Sequence, residues 1–326
     1  MARVMIIGAR RRRQGVGEFL AHAFAVAGAD VAAIVGTSPE TVGQAQAQLR
    51  ERYGIRCGAY TSVVAALERE APDIVAICSP YDVHHDQLQA VQQAGAHCLC
   101  DKPLWWGETQ DRVAATMRIV DGFIARQRYL ALATQWPYTL PAFFSLHPQV
   151  KSQPVADFEM MLSPIRPGLN MILDAAPHPL SMLQALVGYG AVGAPRLRFL
   201  DPDQGQLELD FEYRHGTGTT AVHFKTAVCA EAPRPASYAI NGHRIEREIA
   251  LPEYQIWFAG DGRRLRVEDP LQRLVADFLD KVKTDRAVDR RALIDSIGAL
   301  EVLYGCGGDA PVAESEACAS PSHPEQ

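Results

Sequence analysis

Between a short run of β-formers, Val4 to Ile7, and a helical stretch from Glu18 to Ala27 lies Gly8-Ala9-Arg10-Arg11-Arg12-Arg13-Gln14-Gly15-Val16-Gly17. A glycine loop in that position turns backbone amides and a helix N-terminus toward a phosphate. The spacing departs from G-x-G-x-x-G, which from Gly8 would need glycine at Arg10 and Arg13. Gly15 and Gly17 alone could be a tight turn with no ligand. Four consecutive arginines repel one another in a solvated loop and are easier to explain facing a polyanion, phosphate being the obvious one. After a second strand, Val31 to Val35, Gly36-Thr37-Ser38 stands where a carboxylate would hold a ribose hydroxyl. The hydroxyls of Thr37 and Ser38, with an arginine from the loop, suit an extra ribose phosphate instead, which predicts NADP(H) in preference to NAD(H).

The elements that must position these groups alternate. Pro39 opens a helix running to about Tyr53, Val63 to Glu70 reads as helix, Ile74 to Cys78 as strand, His85 to Gln93 as helix and His97 to Cys100 as strand. Asp111 to Arg128 is a longer helix and Tyr129 to Thr134 a further strand. Near-continuous apolar strands between helices predict a Rossmann-type, doubly wound parallel sheet covered on both faces. Beyond it, Ala156 to Leu162, Gln206 to Tyr213, Thr219 to Phe224 and Ile245 to Ile249 alternate apolar and polar residues, as half-buried antiparallel strands do. Leu173 to Leu186 reads as one helix among them, and helices near Leu271 to Val282 and Arg291 to Leu303 close the ordered chain. The expected fold class is therefore α/β, with a C-terminal α+β domain carrying a largely antiparallel open sheet. The expected domains are a dinucleotide-binding domain over 1–128, a substrate and oligomerisation domain over 129–306 and a disordered tail over 307–326.

Composition bounds the rest. A chain of 326 residues suits two packed cores, and a formal charge of −6 gives no general attraction for nucleic acid or an anionic membrane. The seven cysteines are odd in number and contain no C-x-x-C pair, so buried thiols are expected rather than a disulfide framework. Cys98 and Cys100 share a strand face, but a metal site would need further ligands, and no metal is expected. The opening apolar run is too short for a signal peptide or a span, and no later stretch reaches ~18 apolar residues, so a cytoplasmic protein is expected.

Asp101-Lys102-Pro103-Leu104 ends the strand from His97, at the sheet edge where such folds place ligands; an isolated lysine there would as well be an exposed turn residue. Further on, Asp174 and His178 stand four residues apart, on one helix face, although Pro177 suggests that Asp174 precedes the helix start proper. Taken alone, His178 reads as a partly buried structural histidine. Together with Ser79-Pro80, His84 and the run Gly95-Ala96-His97-Cys98-Leu99-Cys100, these segments resemble the glucose-fructose oxidoreductase, inositol dehydrogenase and rhizopine-catabolism (Gfo/Idh/MocA) family. Asp101-Lys102-Pro103 is similar to that family's E-K-P tripeptide, with Asp for Glu, and Asp174 to His178 to its D-x-x-x-H motif.

The resemblance implies hydride transfer between nicotinamide and a hydroxyl or carbonyl carbon of a sugar-, sugar-derivative- or cyclitol-like molecule. It implies His178 as acid or base, Lys102 holding the substrate oxygen and Asp174 orienting them; an unperturbed histidine pKa near 6.5 suits both directions. It implies cofactor contacts from Ser79, Pro80, His84, Asp101 and Lys102, beside Gly8, Arg10, Arg11, Arg12, Arg13, Gly15, Gly17, Thr37 and Ser38. Trp105, Trp106, Gln135 and Trp136 form an aromatic neighbourhood that suits either a substrate pocket or packing between domains. An imine or aromatic-intermediate reductase and a non-catalytic NAD(P) sensor are the alternatives. A homodimer or homotetramer is expected, because the open face of a sheet needs cover.

Overall fold

The computed structural model of the protein describes residues 1–10, 15–109, 111–251 and 253–307. Arg11, Arg12 and Arg13, and the tail beyond Gly307, lie outside the described residues.

Six strands, β1 (Arg3–Ile7), β2 (Asp30–Val35), β3 (Gly58–Tyr60), β4 (Ile74–Ile77), β5 (His97–Asp101) and β6 (Leu130–Ala133), form one parallel sheet in the order β3-β2-β1-β4-β5-β6. Helices α1 (Gly17–Val26), α2 (Pro39–Tyr53), α3 (Val63–Glu70), α4 (His84–Ala94) and α5 (Arg112–Ala125) make the crossovers. Local chemistry sets their ends. Ser38 caps α2 by accepting from the Thr41 amide at 3.2 Å, with Pro39 in the first turn and Gly54 in the left-handed conformation beyond the last. Ile7 pairs with Ile77, Ile77 with Cys100 and Asp101 with Ala133, so the C-terminal ends of β1, β4, β5 and β6 share one edge. The strand order reverses between β1 and β4, and a crevice opens at such a switch point. Cys98 and Cys100 are buried on one face, as their spacing predicts.

The second sheet has eight strands: β7 (Asp157–Leu162), β8 (Gly190–Phe199), β9 (Gln206–His215), β10 (Gly218–Ala227), β11 (Ala236–Ile240), β12 (His243–Ala250), β13 (Gln255–Gly260) and β14 (Arg263–Val267). Their order is β14-β13-β12-β11-β7-β10-β9-β8, antiparallel except where β7 meets β10. One face packs on α6 (Leu140–Leu146), α7 (Asn170–Ala175) and α8 (Pro177–Val187) through Phe143, Phe158, Phe224, Tyr238 and Phe258. The other face is finished with ion pairs, among them Arg198 with Glu208, Lys225 with Glu208 and Arg264 with Glu248. Residues 173–186 are not one helix: α7 ends at Ala175 and Pro177, which lacks an amide proton, opens α8.

The chain then returns to the first domain. The helix α9 (Pro270–Lys283) packs Phe278 edge-on to Phe24 of α1, their centroids 6.3 Å apart. The last helix, α10 (Arg290–Gly305), inserts Leu293 and Ile297 into the core on the opposite face of the parallel sheet. Both domains are thereby held across the crevice where β1, β4 and β5 end.

Candidate active site

The crevice begins at Gly8, whose φ of +85° favours glycine; a Cβ there would lie 2.8 Å from the Cys78 carbonyl carbon and from the Ser79 nitrogen. A Cβ on Gly17 would stand 2.4 Å from the Gly8 carbonyl oxygen, so α1 starts against the end of β1. Gly17 therefore does what the last glycine of the fingerprint does, close helix-to-strand packing, although it comes nine positions after Gly8 rather than five. The intervening sequence is longer and carries the arginines. The close backbone approach at Gly8 and Gly17 fits a dinucleotide pyrophosphate, and Arg10 and Gly15 are the described residues that flank positions 11–14.

Ser38 is less free than its position suggests. Its hydroxyl accepts from the Thr41 amide and donates to Thr41 Oγ1 at 3.1 Å, so it is committed to capping α2, while Thr37 is exposed. Ser79 donates to Gln87 Oε1 at 2.5 Å at the end of β4, and Pro80 is exposed beside it. The His84 side chain is committed within the protein. It is 1% exposed, its Nε2 donates to the Ser79 carbonyl at 2.7 Å, and its Nδ1 faces the Pro103 and Leu104 carbonyls at 3.2 and 3.1 Å. The imidazole thus ties the end of β4 to the segment that follows Lys102.

Lys102 leaves β5 at the shared edge and reaches into the second domain. Its Nζ donates to Asp174 Oδ1 and to the Asp174 carbonyl, each at 2.6 Å. Burial acts to lower the Lys102 pKa, but the Asp174 and Asp101 carboxylates outweigh it and hold the amine above its ordinary value. Asp101 accepts from the Lys102 amide at 2.9 Å, and burial raises its pKa against the pull of Lys102. Asp174 sits in the last turn of α7 and so precedes α8, in whose first turn His178 stands; the two belong to successive helices rather than to one helix face. Burial pushes the His178 imidazole down to about 3, with the Lys102 and Arg247 charges adding to the effect and Asp174 opposing it. The ring is therefore neutral at physiological pH, not poised near 6.5, and its Nδ1 is buried without a hydrogen-bond partner.

The aromatic neighbourhood resolves into packing. Trp105 and Trp106 are 4% and 8% exposed: the first donates to Thr116 Oγ1 at 2.9 Å inside the parallel-sheet core, the second packs beneath Arg112 and beside Tyr304. Trp136 is buried but sits against the site, edge-on to His178 at 6.4 Å between centroids, and Gln135 is half-buried just before it. Four residues with no motif also gather here. Tyr81 donates to Asn170 Oδ1 at 3.3 Å, and the charge of Asp174 reaches Tyr81. Arg247 lies over the Trp136 ring at 5.3 Å and donates to the Arg234 carbonyl at 3.0 Å. Away from the crevice, His147, His243 and Asp261 bring ligand atoms within 4.8 Å of one another, the described residues' one grouping with the chemistry to hold a cation.

Comparison with known proteins agrees with the two-sheet fold. Residues 2–127 match the family described as the oxidoreductase family, NAD-binding Rossmann fold (Gfo/Idh/MocA). It is 35% identical over 107 residues to a glycosyl hydrolase family 109 protein of Shewanella amazonensis, covering 31% of this chain and 23% of that one. It is 34% identical over 70 residues to the D-glucoside 3-dehydrogenase of Escherichia coli, covering 22% and 19%. The matched segments thus span about a quarter or less of those relatives' length. The whole fold resembles that of UDP-N-acetylglucosamine 3-dehydrogenase from Acidithiobacillus ferrooxidans, with a TM-score of 0.67, 21% identity and coverage of 94% of this chain and 97% of that one.

Proposed function

We propose that this NAD-binding oxidoreductase transfers a hydride between nicotinamide and a hydroxyl or carbonyl carbon of a sugar-, sugar-derivative- or cyclitol-like molecule, preferring NADP(H) while accepting NAD(H). The observation that carries this is the Lys102–Asp174 pair, which places an ammonium and the His178 imidazole at the edge of the parallel sheet, beyond the Gly8 cradle. Nicotinamide, when bound there, supplies or takes the hydride; the protein must move the proton.

Lys102, held charged by two carboxylates, is the group that holds a substrate oxygen and stabilises alkoxide character on it. In the reducing direction it is also the protonated group at hand. In the oxidising direction neutral His178 is the acceptor for the hydroxyl proton. Asp174 keeps Lys102 in place, and Asp101 and His84 fix the backbone on either side of it. Burial of Trp105 and Trp106 leaves Trp136 as the tryptophan of this group at the site, which supports a sugar-like rather than a large aromatic substrate.

Among the described residues no helix is long and apolar enough to cross a membrane. A homodimer or homotetramer joined through the outer face of the second sheet would meet across ion pairs, so its association would weaken with salt. The deciding experiment is a fluorescence titration with NADPH and NADH, followed by a polyol and sugar screen with the preferred cofactor. Cofactor binding with substrate-dependent turnover that is lost in Lys102→Ala and His178→Ala supports the reading. Unchanged activity in both variants rejects these residues, and cofactor binding without any turnover favours a sensor.

A further inference from the structure

Among the described residues four buried side-chain nitrogens lack a hydrogen-bond partner, and three of them belong to His178, Arg234 and Arg247, whose charges act on one another or on Lys102. Buried polar groups are nearly always satisfied, and an unpaired donor on a charged group is costlier than on a neutral one. The arginines come from separate parts of the second sheet, Arg247 from β12 and Arg234 from the segment before β11. Arg247 points the same way as buried Ile245, toward the helices that carry the site, and lies over Trp136, which in turn stands edge-on to His178. Arg247 also donates to the backbone carbonyl of Arg234, and the Arg234 charge acts on the Arg247 guanidinium.

Their anionic surroundings are spoken for. Asp174 is paired with Lys102, and Asp101 accepts from the Lys102 amide. Asp269, which caps α9, faces Arg247 along with Tyr254, but its Oδ1 accepts from the Leu271 amide at 2.9 Å. Neither Arg234 nor Arg247 has a carboxylate within ion-pair distance among the described residues. Three cations, Lys102, Arg234 and Arg247, thus share this region with carboxylates that are already engaged.

We propose that Arg234 and Arg247 form an anion subsite beside Lys102 and His178, so that the substrate is a sugar-like molecule bearing a carboxylate or phosphate close to its reacting carbon. The planar guanidinium fork matches both groups. The arginine charges support this from the other side: Arg247 depresses the basicity of His178, and Arg234 opposes protonation of Lys102. A bound anion relieves both and readies the pair for proton transfer only when substrate is in place. This inference rests on the reading of Lys102 and His178 as the reacting groups.

The first probe is inorganic phosphate, added to protein already loaded with NADPH so that the dinucleotide's own phosphate positions are filled. Phosphate is expected to raise the thermal midpoint of the loaded protein, and the rise to vanish in Arg247→Met and Arg234→Met while both variants keep wild-type NADPH affinity. No rise in the wild type, or an equal rise in the variants, overturns the subsite. The second readout compares oxidation of glucose with glucuronate and of glucose with a glucose phosphate, which separates the carboxylate from the phosphate source. The acidic partner in one pair is expected to show a kcat/KM at least about 10-fold higher, reduced in the arginine variants through KM. Equal or faster turnover of glucose overturns the proposal while leaving the oxidoreductase reading intact. If neither pair turns over, the phosphate titration alone decides, and absence of NADPH binding sinks the oxidoreductase reading instead.

Discussion

Lys102 Nζ donates to both the side chain and the main-chain carbonyl of Asp174, each at 2.6 Å, so one ammonium joins the end of β5 to the last turn of α7. The pair is only partly exposed, at 13% and 25% of the two side chains, so solvent screens it weakly. Lys102→Met is expected to lower turnover by about 10²–10³-fold, the usual cost of losing a group aimed at developing negative charge. Because Asp174 loses its ammonium partner, stability should also fall by about 1–3 kcal/mol. Urea denaturation separates the effects: the double variant Lys102→Met with Asp174→Asn should regain stability but not turnover, and recovery of both would show that the pair only braces the domains.

His178 gives the second prediction, from the sign of its shift. Burial, with the Lys102 and Arg247 charges, lowers its pKa from 6.5 to about 3. The unfolded chain therefore binds a proton at this site below pH 6.5 that the folded chain refuses until pH falls to about 3. Stability should decline as pH falls through that window, and His178→Asn should flatten the decline while leaving stability above neutral pH little changed. Urea midpoints across the acid range test this; parallel curves for the two proteins would mean that His178 titrates normally.

Two glycines predict opposite outcomes for one substitution. An alanine Cβ at Gly17 would meet the Gly8 carbonyl oxygen at 2.4 Å, so Gly17→Ala should cost about 1–3 kcal/mol and weaken cofactor binding. Gly43, exposed within α2, has nothing within 4 Å of such a Cβ. Gly43→Ala should therefore stabilise the protein by about 0.5–1 kcal/mol without touching NADPH affinity. Thermal melts with a cofactor titration decide both, and a neutral Gly17→Ala would contradict the tight start of α1.

These pairs mark how much could be read in advance. Helix α2 and helix α3 begin and end where Pro39, Tyr53, Val63 and Glu70 predict, because capping residues and apolar spacing act locally. The three-residue edge strand β3 is too short for a period to show. Strands β11 to β14 did carry a signal, Asn241-Gly242 and Asp261-Gly262, all four with positive φ as tight hairpin turns require, but the alternation around them is weak. The motif residues Lys102, Asp174 and His178 come together as their resemblance implies, whereas His84, Trp105 and Trp106 are absorbed by packing. Arg234 and Arg247 belong to no motif; only the fold of the second sheet brings them to Trp136, and the neutrality of His178 depends on that same burial.

The ribose end of the cofactor site yields the last prediction. Ser38 spends its hydroxyl on the Thr41 amide and Thr41 Oγ1, so its loss should be felt first in the helix. Ser38→Ala is expected to cost about 0.5–2 kcal/mol with little change in the ratio of NADPH to NADH affinity. Thr37 is exposed immediately after β2, where a carboxylate would bind the ribose hydroxyl and repel a phosphate. Thr37→Asp should therefore weaken NADPH binding and strengthen NADH binding, moving the ratio by about 10-fold or more. Fluorescence titrations of both cofactors against the two variants test the assignment. An unmoved ratio in Thr37→Asp, or a large shift in Ser38→Ala, would place the discriminating contact elsewhere in the crevice, because then the exposed hydroxyl is not what meets the ribose.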